Sequence, residues 1–178
     1  MRMMRKPYNT PLSPKIRACT QKDIGVLVET IRRSFQDVAE RFGLTQENAP
    51  RHPSNCTEDW IQKDIERGVT YFIIENENSV AGCVALELTN SEVCYLECLA
   101  VLPNQRHLGF GKALVTHVLS KAKLLGVHRV DIGIIAEHTE LKNWYKGIGF
   151  IEGESKEFPH LPFRVTFMSY VVDKNCRQ

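Results

Sequence analysis

Apolar positions recur along the chain in two rhythms. From residue 24 they return every three to four positions, as Ile24, Leu27, Val28, Ile31 and Phe35 and on toward Phe42, the spacing of one helix face. Thr20 and Asp23 just ahead form a capping box. Thr57 opens a second helical segment, "EDWIQKDIER", which Gly68 stops. The rhythm then tightens into strands. "TYFIIE" (70–75) and "SVAGCVALEL" (79–88) flank "NEN" as a hairpin, and "EVCYLECLAVL" (92–102) is a third strand ended by Pro103 and Asn104. A helical face resumes from Gly109 with Leu114, Val118, Leu119, Ala122 and Leu125, and stops at Gly126. "RVDIGII" (129–135) alternates as a strand, "TELKNWYKGIG" (139–149) is a short helix, and "FIEGESKEF" and "FRVTFMSYVV" close as an antiparallel pair. A short strand around Lys15 to Ala18 precedes the first helix. With no repeats, this predicts one mixed α/β domain over residues 15–173, after a basic, proline-broken tail at 1–14. Residues 43–56 are rich in Gly, Pro, Asn and Ser. They read as a loop too polar for the core and long enough to form a binding lip.

Composition narrows the function classes. A chain of 178 residues, 43% hydrophobic, suits one domain with a proper core. The net charge of +2, with Lys and Arg spread along the chain, points to neither nucleic acid nor a membrane surface as partner. The apolar runs fall far short of the roughly 20 residues that span a bilayer. Residues 1–14 lack the apolar centre of a signal peptide, so a cytoplasmic location is expected. The cysteines are Cys19, Cys56, Cys83, Cys94, Cys98 and Cys176, with no CxxC pair. Cys94 and Cys98 would stand about 13 Å apart in a strand, too far for a disulfide or shared metal ligation. Reduced thiols and no metal are expected.

Two features carry chemistry. "RHLGFGKAL" (106–114) joins a strand to a helix N-terminus through Gly109 and Gly111, with Arg106 and Lys112 nearby. First-turn amides lack intrahelical partners, and the helix dipole favours an anion there. Glycines let a phosphate approach the backbone. The stretch is neither a Walker A loop, since Ala113 follows Lys112, nor a dinucleotide fingerprint, since Leu114 stands where the third glycine belongs. These residues alone leave a close-packed turn and a phosphate site both open. The second feature is Glu97. Alternation groups Val93, Tyr95, Glu97, Leu99 and Val101 on one strand face, so a carboxylate sits among apolar neighbours. Burial would raise its pKa into a range useful to a general base. A carboxylate on a solvated edge is the alternative. Trp144 reads as core and His117 as part of a solvated helix face.

"LAVLPNQRHLGFGKAL" resembles the acyl-CoA-binding signature of the GNAT superfamily of N-acetyltransferases, (Q/R)xxGx(G/A) after a strand ending in V-x-P, with Arg106, Gly109 and Gly111 at its defining positions. "NWYKGIGF" (143–150) resembles the family's second hallmark, an aromatic–tyrosine step before a Gly-Phe pair. The resemblance implies a single α/β (α+β) domain around a mixed, mostly antiparallel sheet flanked by helices. It would splay between the strands at 92–102 and 129–135 to admit acetyl-CoA. The pantetheine would run along the backbone of Leu99, Ala100 and Val101. The pyrophosphate would rest on the turn of Arg106, His107, Leu108, Gly109, Phe110, Gly111, Lys112 and Ala113, with the His107 amide mattering more than its ring. His138 stands where the family often has a cofactor-contacting Asn. Tyr145 matches the tyrosine read as general acid toward the CoA sulfur, and Glu97 lies where the family often has a base acting through water. Attack is direct in the family, so no cysteine need act as nucleophile. His160 in "FPHLPF" would border the acceptor site, and Arg51 and His52 are candidates for gripping an acceptor. The implied activity is acetyl transfer to a primary amine of a small molecule or peptide, and dimers are common in the family, so a homodimer is allowed. A non-catalytic CoA-binding module is the alternative. A nucleotide-binding enzyme is disfavoured by the missing motif residues.

Overall fold

The hairpin at "NEN" sets the centre of the sheet. Glu77 and Asn78 both adopt positive φ (49° and 64°), the two-residue turn whose twist suits antiparallel strands. It joins β2 (Thr70–Asn76) to β3 (Ser79–Leu88). The computed structural model describes residues 14–172, so the predicted tail at 1–14 and Cys176 fall outside it, Pro14 excepted. Around the hairpin lie β1 (Lys15–Ala18), β4 (Val93–Val101), β5 (Arg129–Ile135), β6 (Ile151–Lys156) and β7 (Val165–Val171). They form one seven-stranded mixed sheet in the order β1-β2-β3-β4-β5-β7-β6. Only β4 and β5 run parallel.

Period-two alternation sorts the apolar side chains between two cores. Phe72, Ile74, Val84 and Leu86 pack beneath α3 (Phe110–Leu125) with Leu114, Val115 and Val118, in a core that also takes Tyr145 of α4 (Thr139–Ile148). Tyr71, Ile73, Cys83 and Ala85 pack on the other face against Leu27 and Ile31 of α1 (Ile24–Phe42) and Ile61 of α2 (Glu58–Glu66). The caps fall where the sequence puts them: the Thr57 hydroxyl accepts the Trp60 amide at 3.2 Å, and the Thr20 amide donates to Asp23 at 2.7 Å.

Two departures matter for the site. First, Cys98 takes φ +47° in the middle of β4, and the ladder with β3 jumps from Ala85↔Glu97 to Cys83↔Ala100, so two β4 residues face one on β3. This bulge reverses the strand's parity. Cys94 and Leu96 face α3 before it, whereas Leu99 and Val101 do so after it. The expected common face of Glu97, Leu99 and Val101 is therefore broken, and Glu97 and Cys98 lie toward α1 and α2. Second, the 43–56 loop is not too polar for the core. Leu44, Ala49, His52 and Cys56 are buried, and a short 3-10 turn at Pro53–Asn55 orders it. No helix among the described residues is long and apolar enough to cross a membrane.

Candidate active site

The sheet parts where the parallel pair ends. β4 and β5 pair only at Val93↔Arg129, Cys94↔Val130 and Tyr95↔Asp131. Beyond Tyr95 no strand among the described residues meets the β5-facing edge of β4. Pro103–Gln105 then turn the chain, His107 and Gly109 take φ of +63° and +87°, and α3 begins at Phe110. Gly109 is the helix cap and offers no side chain, so the first-turn amides meet no side-chain cap. The conformation explains the glycine, since a Cβ there would be strained although nothing lies within 4 Å of it. Gly111 is under neither constraint: a Cβ would sit 3.4 Å from the Trp144 ring and 3.8 Å from Val101, ordinary contact distances.

Arg106 holds this turn in place. Its guanidinium donates to the carbonyls of Val101 (3.2 Å) and Ser34 (2.8 Å) and to both Asp37 oxygens, tying the turn to α1. Hydrogen bonding from Arg106 in turn holds the Asp37 carboxyl below its ordinary range. The Arg106 side chain is thus engaged with the protein.

Two cavity lobes occupy the split. One, of about 490 Å³, is lined by Leu99, Val101, the 105–112 turn, Ser34 of α1 and Trp144 of α4. The other, of about 540 Å³, is lined by residues 49–53, Trp60, Asp64, Arg67, Glu97, Tyr145 and the 161–167 wall. Phe35, Val38, Leu99, His138 and Leu141 line both, so the lobes meet there. In the first lobe the Ser34 hydroxyl and His138 Nδ1 are buried with no hydrogen-bond partner among the described residues. His138 Nδ1 lies 3.5 Å from Glu140, too long and poorly aimed for a bond. Burial, then the charge of Arg41, lowers the His138 pKa and favours the neutral ring.

The second lobe holds the reactive groups. Glu97 has its carboxylate open to the cavity, yet protein crowds it enough to matter. Burial, reinforced by Glu87, raises its pKa above the ordinary carboxylate value, against the pull of Arg67 and Arg51. Tyr145 is 4% exposed, and its hydroxyl has no protein partner among the described residues. Burial pushes that phenol up, so it keeps its proton. Cys98 also lines this lobe, and burial followed by the charge of Glu97 holds it as a thiol. Behind them Asp64, with its side chain 6% exposed, accepts from Tyr71 Oη (2.7 Å), Trp60 Nε1 (3.1 Å) and Arg67 Nε and Nη2 (3.1 and 3.0 Å).

Most residues read from the sequence come together here, and several do not. Leu99, Val101, Arg106, His107, Gly109, Phe110, Gly111, Lys112 and His138 line the first lobe, and Glu97 and Tyr145 the second. Ala100, Leu108 and Ala113 line neither. Ala100 packs under α1, Leu108 is 59% exposed, and Ala113 turns to the far side of α3. Trp144 is not core: it is 37% exposed in the first lobe, edge-on to Tyr145. His117 is not a solvated residue, because its ring packs 4.5 Å from Phe72 and its Nε2 is buried. His160 is exposed outside both lobes, where its neighbours Leu161 and Phe163 line the second. Trp60, Asp64 and Arg67 were missed. Their i, i+4 and i, i+7 spacing on α2 was the available signal.

The family model described as "Acetyltransferase (GNAT) family" matches residues 30–150, more than half of the chain. The chain belongs to that family. A curated relative, the amino-acid acetyltransferase of Pseudomonas putida strain GB-1, is 28% identical over 134 residues, which cover 74% of this GNAT chain but 29% of that protein. The chain thus spans less than a third of the curated relatives it matches. Among solved structures, the paia N-acetyltransferase of Thermoplasma acidophilum, in complex with coenzyme A, superposes with TM-score 0.74 at 17% identity, over 90% of this chain and 99% of that one. The ribosomal-protein-S18-alanine N-acetyltransferase of Escherichia coli gives 0.72 at 14%, over 93% and 99%. At such identities these two show a shared GNAT fold. Among the described residues no group of three or more His, Cys, Asp or Glu is placed to hold a metal ion.

Proposed function

We propose that the chain transfers an acetyl group from acetyl-CoA to a primary amine by direct attack. One observation carries this reading: two adjoining cavities that share five lining residues extend from the uncapped N-terminus of α3 to a carboxylate of raised pKa and a phenol that keeps its proton. Acetyl-CoA would supply the acetyl group already activated as a thioester. The residues present fit it. The amides of the 107–112 turn suit a diphosphate, and the unpaired edge of β4 at Leu99 and Val101 suits an extended amide-bearing arm. The orphaned Ser34 hydroxyl and His138 Nδ1 offer polar partners along that arm. In the second lobe Glu97, as carboxylate, accepts the proton that an incoming ammonium must lose. Tyr145 Oη, in the same lobe, holds a proton that a departing thiolate would take. Cys98, held as a thiol, is a poor nucleophile, which favours attack by the amine itself.

The relative named an amino-acid acetyltransferase supports an amine acceptor. The test is thiol release from acetyl-CoA across a panel of amines, alongside calorimetry with coenzyme A. Amine-dependent release is expected. Coenzyme A binding without release would identify a binding module instead.

A further inference from the structure

The charges of the second lobe say more about the acceptor, provided that the lobe does receive an amine as proposed above. Four charged side chains line it: Arg51, Asp64, Arg67 and Glu97. Arg67 is taken up by Asp64 and Glu87, and Asp64 accepts from three residues. Arg51 and Glu97 are left, with no ion pair or hydrogen bond among the described residues. The local fold holds Arg51 in place. The His52 amide and Asn55 Nδ2 both donate to the Ala49 carbonyl (2.9 and 3.0 Å), fixing the segment on either side of it. Its guanidinium lies over the Trp60 ring, 4.3 Å from the centroid, and Trp60 is anchored on Asp64. A guanidinium held over an aromatic face, with no hydrogen-bond partner among the described residues, keeps its N–H donors available for a planar anion. The histidines bring no further cation, since burial lowers His52 to about 4 and His138 below its ordinary value. The lobe's lining also includes an apolar group, Leu161, Phe163, Val165 and Phe167.

We infer that the acceptor is an amino acid with one carboxylate and an apolar side chain. Arg51 takes the carboxylate, Glu97 faces the amine, and the side chain lies against Phe163 and Phe167. A second carboxylate would find no free cation and would meet the charge of Glu97.

The experiment measures kcat/KM by thiol release at saturating acetyl-CoA with L-phenylalanine, phenethylamine and L-glutamate. The wild type should prefer phenylalanine to each of the other two by at least tenfold. In Arg51→Gln the ratio of phenylalanine to phenethylamine should collapse toward one through KM, and Arg51→Lys should restore part of it. A wild-type ratio near one, a preference for glutamate, or a ratio that Arg51→Gln leaves untouched would overturn the inference while leaving transfer to amines standing. Absence of thiol release with every amine, phenethylamine included, would reject both together.

Discussion

As the proposed base, Glu97 would act only while it is ionised, and its surroundings resist ionisation. Because burial and Glu87 raise its pKa, the carboxylate fraction grows with pH through a range above that of free glutamate, and the rate should climb over the same range. Glu97→Gln keeps the shape and removes that limb. The rate should fall most near neutral pH and recover partly at high pH, where the acceptor is already free amine. A pH–rate profile checks this, and a drop uniform across pH would indicate amine binding instead. Asp64 illustrates a structural carboxylate in the same lobe. Asp64→Ala orphans the Tyr71 hydroxyl and the Trp60 indole and should cost about 2 kcal/mol, read as a lower urea midpoint. The positions of site residues were legible where a motif named them, as with Gly109 and Tyr145, which line the two lobes. The Asp64 network was not, because its partners on α2 and β2 become neighbours only through packing.

At the scale of elements, periodicity located the strands and helices because each buries one face on one of the two cores. It failed at the β4 bulge. "YLECLAVL" (95–102) carries no signal for a positive φ and reads as one continuous strand through the point where Cys98 shifts the register. It failed also in the 43–56 loop, where the buried Leu44, Ala49 and Cys56 stand singly among polar neighbours and show no period. The turn before α3 makes a sharper prediction than its glycine count. Gly109 sits in the left-handed region, whereas Gly111 meets only ordinary contacts. Gly109→Ala should therefore strain or reshape the cap, by about 1–2 kcal/mol if the conformation is kept, and weaken acetyl-CoA binding at least tenfold. Gly111→Ala should stay within threefold. Calorimetry with acetyl-CoA distinguishes the two, and equal losses would show that the helix packing, not the cap, decides affinity.

At the scale of the whole molecule, two adjoining lobes lie where β4 and β5 part, and the proposed reaction divides between them. Arg106, through Asp37 and the Ser34 carbonyl, holds α1 to the turn on one side of the first lobe, and the Arg41–Glu140 pair at 3.1 Å links α1 to α4 across it. The donor would enter by that lobe and the acceptor by the other, so transfer can occur only at the junction. Tyr145 lines the second lobe with a hydroxyl that has no protein partner among the described residues, and Tyr145→Phe removes one oxygen and little volume. General acids typically contribute roughly 10²–10⁴-fold. A CoA thiolate leaves partly unaided, so kcat should fall by about 10- to 100-fold, with acetyl-CoA affinity within a few-fold because the hydroxyl acts mainly in the transition state. The decisive measurement is kcat beside acetyl-CoA affinity for this one variant. A large loss of kcat with affinity retained is the predicted result. A folded Tyr145→Phe protein that binds acetyl-CoA normally and turns over at the wild-type rate would contradict it.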